Sequence, residues 1–466
     1  MGEAAALHEL LAFALGQGAA WAEVFFEDTL SRTVRLRDGM VSTGVSTWRR
    51  GVAVRVLRGD TVGSASTSDL SAEGLRQAVL LASAGSAPFS PPPAAGSGLV
   101  APLPVAGRPE PATAQAACVE LLHAAADAAC SAPGIRQARL SLSETRRRVR
   151  VLASPGPDGP VDAGDEQLRT SLSVECVAAE AGTRERAFAV LARRAGADGL
   201  DQAAVRRHAG QVAGSAVGKL RARPAPAGRL PVVFAAGAGG KLFHEVCGHG
   251  LEGDSVLARA SVFAGRLGCQ VAVPGLHLVD DGTYPDGWAS ASVDDEGRPA
   301  RRLTLIDDGR LEGYLWDAMS ARRAGQAASA SGRRQGYRHQ PLARMSNTFV
   351  LPGPDDPDEI VAQTRFGVLC RRLSGGSVNP ATADFVFGMA EGHLIEGGRV
   401  TTPLREANLV GNGLDVLGRV DALGSDFATG VGTCGKEGQS VPVSEGNPTL
   451  RVGALTVGGR SRLSPA

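Results

Sequence analysis

Lysine is scarce in this chain: Lys219, Lys241 and Lys436 are its only three, and arginine supplies the rest of its 49 basic residues. Against 48 acidic residues this leaves a net charge of +1, which excludes a general electrostatic attraction to nucleic acid or to an anionic membrane surface. Aromatic residues are 4% of the chain, so its core has to be aliphatic. The seven cysteines, at 118, 130, 176, 247, 269, 370 and 434, are odd in number, widely spaced and free of any C-x-x-C pair. That is the pattern of a reducing compartment, not of a disulfide framework. No apolar run approaches the ~20 residues of a membrane span. Met1–Trp21 carries Glu3 and Glu9 and no basic stretch, so it does not read as a signal peptide. The expectation is a cytoplasmic protein with no nucleic-acid or membrane partner. What is plentiful is glycine, with 61 residues, beside 27 prolines, and a hydrophobic content of 43% that excludes a disordered chain. A length of 466 residues corresponds to two or three domains at ~150 residues each.

The pattern predicts an α+β fold in two parts. Residues 1–225 read as a mixed helix and antiparallel-strand domain. Helical spacing covers 4–16, 72–84 (Ser71 as N-cap, Gly85 as stop), 112–131 and 199–221. Alternating runs at Ala22–Phe26, Thr33–Arg37, Met40–Ser46 and Gly51–Leu57 are punctuated by Asp38-Gly39 and Arg58-Gly59-Asp60 as hairpin turns. Further strands fit about 138–152 and 167–194. A Pro-rich insert near 86–107 reads as a linker. Arg146, Arg148 and Arg150 alternate on a strand and read as a solvated face. Residues 226–466 read as a large antiparallel β-rich domain. Its turns Asp281-Gly282, Glu296-Gly297, Asp308-Gly309 and Gly397-Gly398 lack the carboxylate spacing of a calcium loop.

Chemistry concentrates after one strand and a glycine-rich turn, in His244-Glu-Val-Cys-Gly-His-Gly-Leu-Glu-Gly-Asp254. The familiar zinc-protease motif sets its histidines at i and i+4. Here they stand at i and i+5, which a regular helix separates by roughly 140°. They hold one ion only if the helix is distorted, by a π-bulge or by loosening at Gly248; otherwise they are two polar histidines on different faces. Two histidines leave a ligand to find. Cys434 is a candidate because Gly-Thr-Cys-Gly permits close approach and Lys436 would favour the thiolate; the alternative is an inert cysteine in a glycine-rich loop. Glu252 and Asp254 either orient a histidine or make a salt bridge near the helix end. His277 and His393 sit in strand-like runs and read as structural.

In order along the chain, these blocks resemble the TldD/PmbA family, in its metal-binding TldD branch. The resemblance runs through His244–Asp254, Val279-Asp-Asp-Gly282, Asp294-Asp-Glu-Gly297, Leu305-Ile306 and Gly313-Tyr314. It continues through Gly332-Arg-Arg-Gln-Gly-Tyr-Arg-His339, Arg344-Met-Ser-Asn-Thr348, Gly375-Gly376, Leu394-Ile-Glu396 and Gly411-Asn-Gly413. It closes on Gly432-Thr-Cys-Gly-Lys-Glu-Gly-Gln-Ser-Val-Pro-Val443. It is dense over about 228–460 and looser before that, mainly at Gly51-Val-Ala-Val-Arg55. Three features depart from the family pattern: Cys247 between the histidines, Gln335-Gly336, and the Pro-rich insert. Cys247 reads as an apolar filler, an oxidation liability or a competing ligand.

The resemblance implies a cytoplasmic zinc metallopeptidase for unfolded or small peptides, including leader or modified peptides. It implies a TldE/PmbA-like sister subunit that lacks the metal motif, with a homodimer as the alternative. It assigns zinc to His244, His249 and Cys434, and the general base to Glu245. The Tyr337, Arg338 and His339 block offers donors for a developing oxyanion. Two other classes stand beside this reading: a biosynthetic tailoring enzyme using the same metal site, and a non-enzymatic modulator that binds a protein partner.

Overall fold

The computed structural model describes residues 2–85, 100–103, 110–156, 159–405, 407–459 and 461–462. Most of the predicted Pro-rich linker therefore lies outside the described residues.

The N-terminal half is one six-stranded antiparallel sheet with helices on one face. Its elements are α1 (Glu3–Gly16), β1 (Trp21–Arg37), β2 (Met40–Arg58), β3 (Thr61–Thr67), α2 (Ala72–Gly85), α3 (Gln115–Cys130), β4 (Ile135–Gly156), β5 (Gly159–Glu180), β6 (Thr183–Arg193) and α4 (Gln202–Lys219). The strand order is β3-β2-β1-β4-β5-β6. The separate runs read at Ala22–Phe26 and Thr33–Arg37 are one long strand, as are those at Met40–Ser46 and Gly51–Leu57. The β1–β2 turn is Asp38-Gly39, both at positive φ, which suits the right-handed twist of a two-residue hairpin. Ser71 caps α2 by accepting a hydrogen bond from the Gly74 amide at 3.1 Å. The α4 helix starts at 202 and not 199, because the Asp201 carboxylate caps the amides of Ala203 and Ala204.

Period-two alternation sorts the faces of β1. Ala22, Val24, Phe26, Val34 and Leu36 pack under the helices. The intervening residues turn the other way: Glu23 and Glu27 bond the 334–337 segment, and Phe25 packs against Tyr337. The same parity separates the arginines of β4. Arg146, Arg148 and Arg150 pair with Glu166, Glu3 and Asp162 at least partly in solvent, as expected of a solvated face. Arg147 is on the opposite face and pairs with Asp295 at 2.8 Å.

The C-terminal half contains two larger sheets around one apolar core. One runs Arg310–Leu311, Arg302–Asp307, Leu278–Asp281, Asn347–Val350, Gln439–Asn447, Ala428–Lys436, and ends on the last of these as an edge. The other is nine-stranded and includes Pro226–Phe234, Phe366–Val378, Asp384–Glu396 and Leu450–Gly458. Both are rich in antiparallel pairs, yet among the described strands four pairings are parallel, including Asn347–Val350 with Gln439–Asn447 and Pro226–Phe234 with Phe366–Val378. The antiparallel-rich expectation holds, and it does not extend to these parallel pairs because they join segments far apart in the chain and local alternation carries no information on direction.

The two halves meet through buried ion pairs. Glu23 accepts from Arg55 and, at 2.6 Å, from Arg334; Arg55 also reaches Glu296 at 2.7 Å. Arg334 stacks over the Phe25 ring at 4.1 Å. Asp294, Asp295 and Glu296 make a turn, as expected, with Gly297 at positive φ, but they are also the anchor for these arginines.

Candidate metal centre

The site is built where one short helical segment changes its winding. Pro226–Phe234 delivers the chain to Gly239 and Gly240, whose amides both donate to Asn447 Oδ1, at 2.8 and 2.7 Å. A side chain at Gly240 would place its Cβ 2.5 Å from the Gly446 amide nitrogen, so this turn has to be glycine to lie against the strand. An α-turn at Gly240–Phe243 then passes into a π-turn at His244–Gly248 and a 3-10 turn at His249–Leu251. The His249 amide donates to the His244 carbonyl, an i→i+5 bond. That bond brings the fifth residue round onto the first, so the i, i+5 spacing is met by the π distortion that it requires. At Gly248 a Cβ would sit 2.9 Å from the Met345 sulfur, so the absence of a side chain there lets Met345 close over the turn.

His244, His249 and Cys434 converge, with one donor atom from each lying within 4.8 Å of the others. Cys434 Sγ is 3.4 Å from His249 Nε2, and the two imidazoles meet edge to face at 5.3 Å. His244 is 1% exposed, and neither of its ring nitrogens has a hydrogen-bond partner. An imidazole buried with both nitrogens orphaned is expensive unless an ion takes one of them. Two imidazoles and a thiolate also make a donor set suited to zinc. The residues therefore fit the metal that the sequence implies. Burial is the main force holding the His244 pKa well below its ordinary value, with the His249, Arg344, Lys241 and Arg333 charges adding to it, so His244 is neutral and able to ligate.

Glu245 reaches His249 Nε2 at 3.9 Å and faces a cleft of about 950 Å³. Burial raises its pKa, opposed by His249 and Lys241. Glu445 lines the same cleft and is pushed up to about 7, first by burial and further by Glu245. Glu252 accepts from His249 Nδ1 at 3.1 Å and from Lys436 Nζ at 3.0 Å. Asp254 holds Lys436 from the other side at 2.7 Å. Glu252 thus orients a histidine and also makes the salt bridge, whereas Asp254 makes the bridge and accepts from the Ser255 amide at 2.9 Å. Lys436 is committed to these two carboxylates and to the Ala343 carbonyl, a correction to its reading as support for the Cys434 thiolate. The residue behind Cys434 is the fully buried Arg344, which donates to the Cys434 carbonyl at 2.6 Å.

Cys247 is completely buried in the apolar core, with burial lifting its thiol to about 12, so it is a filler. Tyr337 is packed on the N-terminal sheet, its amide on Glu27 and its ring against Gly51; Arg338 donates to its hydroxyl at 3.1 Å. Among the described residues no hydrogen bond or ion pair links Tyr337, Arg338 or His339 to the convergent triad. His277 pairs with Asp307 at 2.7 Å, and half-buried His393 lies in the strand Asp384–Glu396. Sequence reasoning gave no role to Arg344, Glu445 or Asn447. Arg344 stands in a recognised block, but that its side chain returns to residue 434 is a tertiary fact without a local signature.

Three convergent side chains of ligand type beside a carboxylate, on an α+β scaffold, are the equipment of a metal-dependent hydrolytic enzyme. The family described as "PmbA/TldA metallopeptidase C-terminal domain" matches residues 227–459, and "PmbA/TldA metallopeptidase domain 1" matches 22–86. The chain is 35% identical over 455 residues to the "Metalloprotease TldD homolog" of Haemophilus influenzae, covering 94% of this chain and 93% of that one. The "Zinc metalloprotease TldD homolog" of Saccharolobus solfataricus is 30% identical over 247 residues, 52% of this chain and 54% of its own. TldE from Thermococcus kodakarensis shares the fold, with a TM-score of 0.79 at 19% identity over 97% of this chain and 100% of that one. The chain belongs to the PmbA/TldD metallopeptidase family. Among the described residues no helix is long and apolar enough to cross a membrane.

Proposed function

We propose that this protein is a zinc-dependent peptidase for small or unfolded peptides, acting with a TldE-like sister subunit. The observation that carries the proposal is the convergence of His244, His249 and Cys434 around an orphaned, buried imidazole. These three residues would hold the ion. Zinc at such a site supplies a Lewis acid that polarises the scissile carbonyl and lowers the pKa of a coordinated water.

The remaining work falls to the chain. Glu245 takes a proton from the attacking water and delivers it to the leaving amine; its raised pKa suits both transfers. Glu252 fixes the His249 ring through Nδ1. Arg344 and Lys241 are among the positive charges felt at His244, and Lys241 lines the cleft beside Glu245, so they favour a developing oxyanion there better than the Tyr337 block. The cleft is walled by residues of two edge strands, Ala428–Lys436 and β6. A peptide laid against either edge would be read through its backbone, with little demand on sequence. A substrate-bound structure with side-chain contacts alone would remove this mode of binding.

The test is mass spectrometry of a flexible peptide incubated with the protein and its genome-encoded sister subunit. The wild type should cleave, and Glu245→Ala should keep its metal and lose turnover by about 10²-fold or more. A metal-replete wild type that leaves every peptide intact would refute the peptidase reading and favour a dedicated tailoring substrate.

A further inference from the structure

Apart from the metal cleft, a second cavity of about 300 Å³ lies where the inner face of the N-terminal sheet meets the C-terminal half. Its sheet wall carries hydroxyls, among them Ser31 and Thr145, hydrogen-bonded to each other at 3.0 Å. Arginines dominate the rest. Arg147 and Arg334 have carboxylate partners, Asp295 at 2.8 Å and Glu23 at 2.6 Å. Arg169 and Arg333 do not. Arg169 is 7% exposed, its Nε donates to the Trp288 carbonyl at 2.7 Å, and it forms no ion pair among the described residues. Among the described residues Arg333 donates only to the Met345 carbonyl, at 2.6 Å. Arg334 is 2% exposed, and its Nε and Nη1 have no partner.

The charge does not balance. Asp295, whose charge acts on both, is taken by Arg147 and by the Arg334 amide. Burial and like charges pull the Arg169 guanidinium down to about 9 and that of Arg333 to about 10. A buried guanidinium without a counter-ion is destabilising by several kcal/mol. The cavity is at the lower end of ligand-pocket volumes, room for an oxyanion and a small organic body.

We propose that this cavity is an oxyanion-binding site, in which Arg169 and Arg333 hold a phosphate or carboxylate group with hydroxyl donors from the sheet wall. Two sources carry that chemistry: free phosphate, and the C-terminal carboxylate of a peptide. The proposal stands independently of the peptidase reading, since none of its ligating groups is a metal ligand or the general base.

The experiment is titration calorimetry on the full chain at constant ionic strength. The probes are inorganic phosphate, a tripeptide with a free C-terminus, and the same tripeptide amidated. We expect saturable binding of phosphate, of the free-acid tripeptide, or of both, and none of the amide. Phosphate alone would name the free anion as the source, and the tripeptide alone would name the peptide terminus. Arg169→Gln should weaken binding about tenfold or more, the worth of one charge-assisted hydrogen bond. Cys434→Ser should leave it unchanged, which separates this site from anion binding at the metal. If Arg169→Gln does not fold, Thr145→Val takes its place and should weaken phosphate binding. No saturable heat from either oxyanion, equal binding of acid and amide, or binding indifferent to a folded Arg169 or Thr145 variant would overturn the proposal.

Discussion

Glu23→Gln removes one negative charge from the centre of the network that joins the two halves. Glu23 is 1% exposed and serves two arginines at once, Arg55 and Arg334. Glutamine keeps the shape and one acceptor, so the change is mainly electrostatic. Burial alone would raise this carboxyl, but the two guanidiniums outweigh it and hold the pKa at about 2, from an ordinary 4.5. At ~1.4 kcal/mol per pKa unit, that is a stabilisation of about 3 kcal/mol at neutral pH. The figure agrees with the ~3–5 kcal/mol lost when a buried pair is broken. Because the folded pKa is depressed, the contribution is present above 4.5 and fades as pH falls towards about 2. Urea denaturation of the two proteins at a series of pH values measures this directly. The wild type should be more stable by about 3 kcal/mol at pH 7, and the gap should narrow below about pH 4.5. A gap under ~1 kcal/mol at neutral pH, or one that does not change with pH, would show that the network is not held together by this charge.

Three other changes have defined outcomes. Gly240→Ala pushes a Cβ into strand backbone that cannot rotate away, and should destabilise by about 1–3 kcal/mol in chemical denaturation. Asp294 behaves oppositely to Glu23: burial, with Glu296 nearby, raises it from 3.8 to about 7, so its contribution is full below 3.8 and is lost as pH rises through about 7. Asp294→Asn should therefore gain on the wild type between those values in thermal melts, and a constant offset would contradict the assignment. Cys434→Ser exchanges a thiolate for a hydroxyl that does not ionise. It should abolish stoichiometric metal retention, measured by plasma mass spectrometry after gel filtration, without changing the circular dichroism spectrum.

Much of the N-terminal half was legible in the sequence because its pairings are local. Asp38-Gly39 set one hairpin, and Ser71 and Gly85 bounded one helix, all by short-range turn and cap chemistry. The need for a distorted helix was legible too if the i, i+5 histidines were to converge, but not which distortion, the π-turn, would provide it. The parallel pairings in the C-terminal half were not, because period-two alternation shows which way a side chain faces and not which strand lies beside it. The ion-pair network was also hidden. Arg334 and Glu23 are 311 positions apart, and each alone looks like an ordinary surface charge. Tyr337 was singled out for a polar role by its neighbours, yet its ring was needed to fill the space over Gly51.

The π-turn also sets the phase of everything that follows it. A π-turn is in effect an α-helix that has taken in one extra residue, so it rotates the downstream chain relative to the upstream chain. Upstream, Leu242 and Phe243 are locked in the core; downstream, Leu251 is equally buried and Glu252 begins the bridge to Leu315. Deleting Cys247 alone would give the familiar H-E-x-x-H lettering and an unbroken α-helix. The helix would then arrive at Leu251 and Glu252 out of step with the pockets waiting for them. Histidine spacing and helix type are thus one structural unit, and a length change within 244–248 has to alter both together.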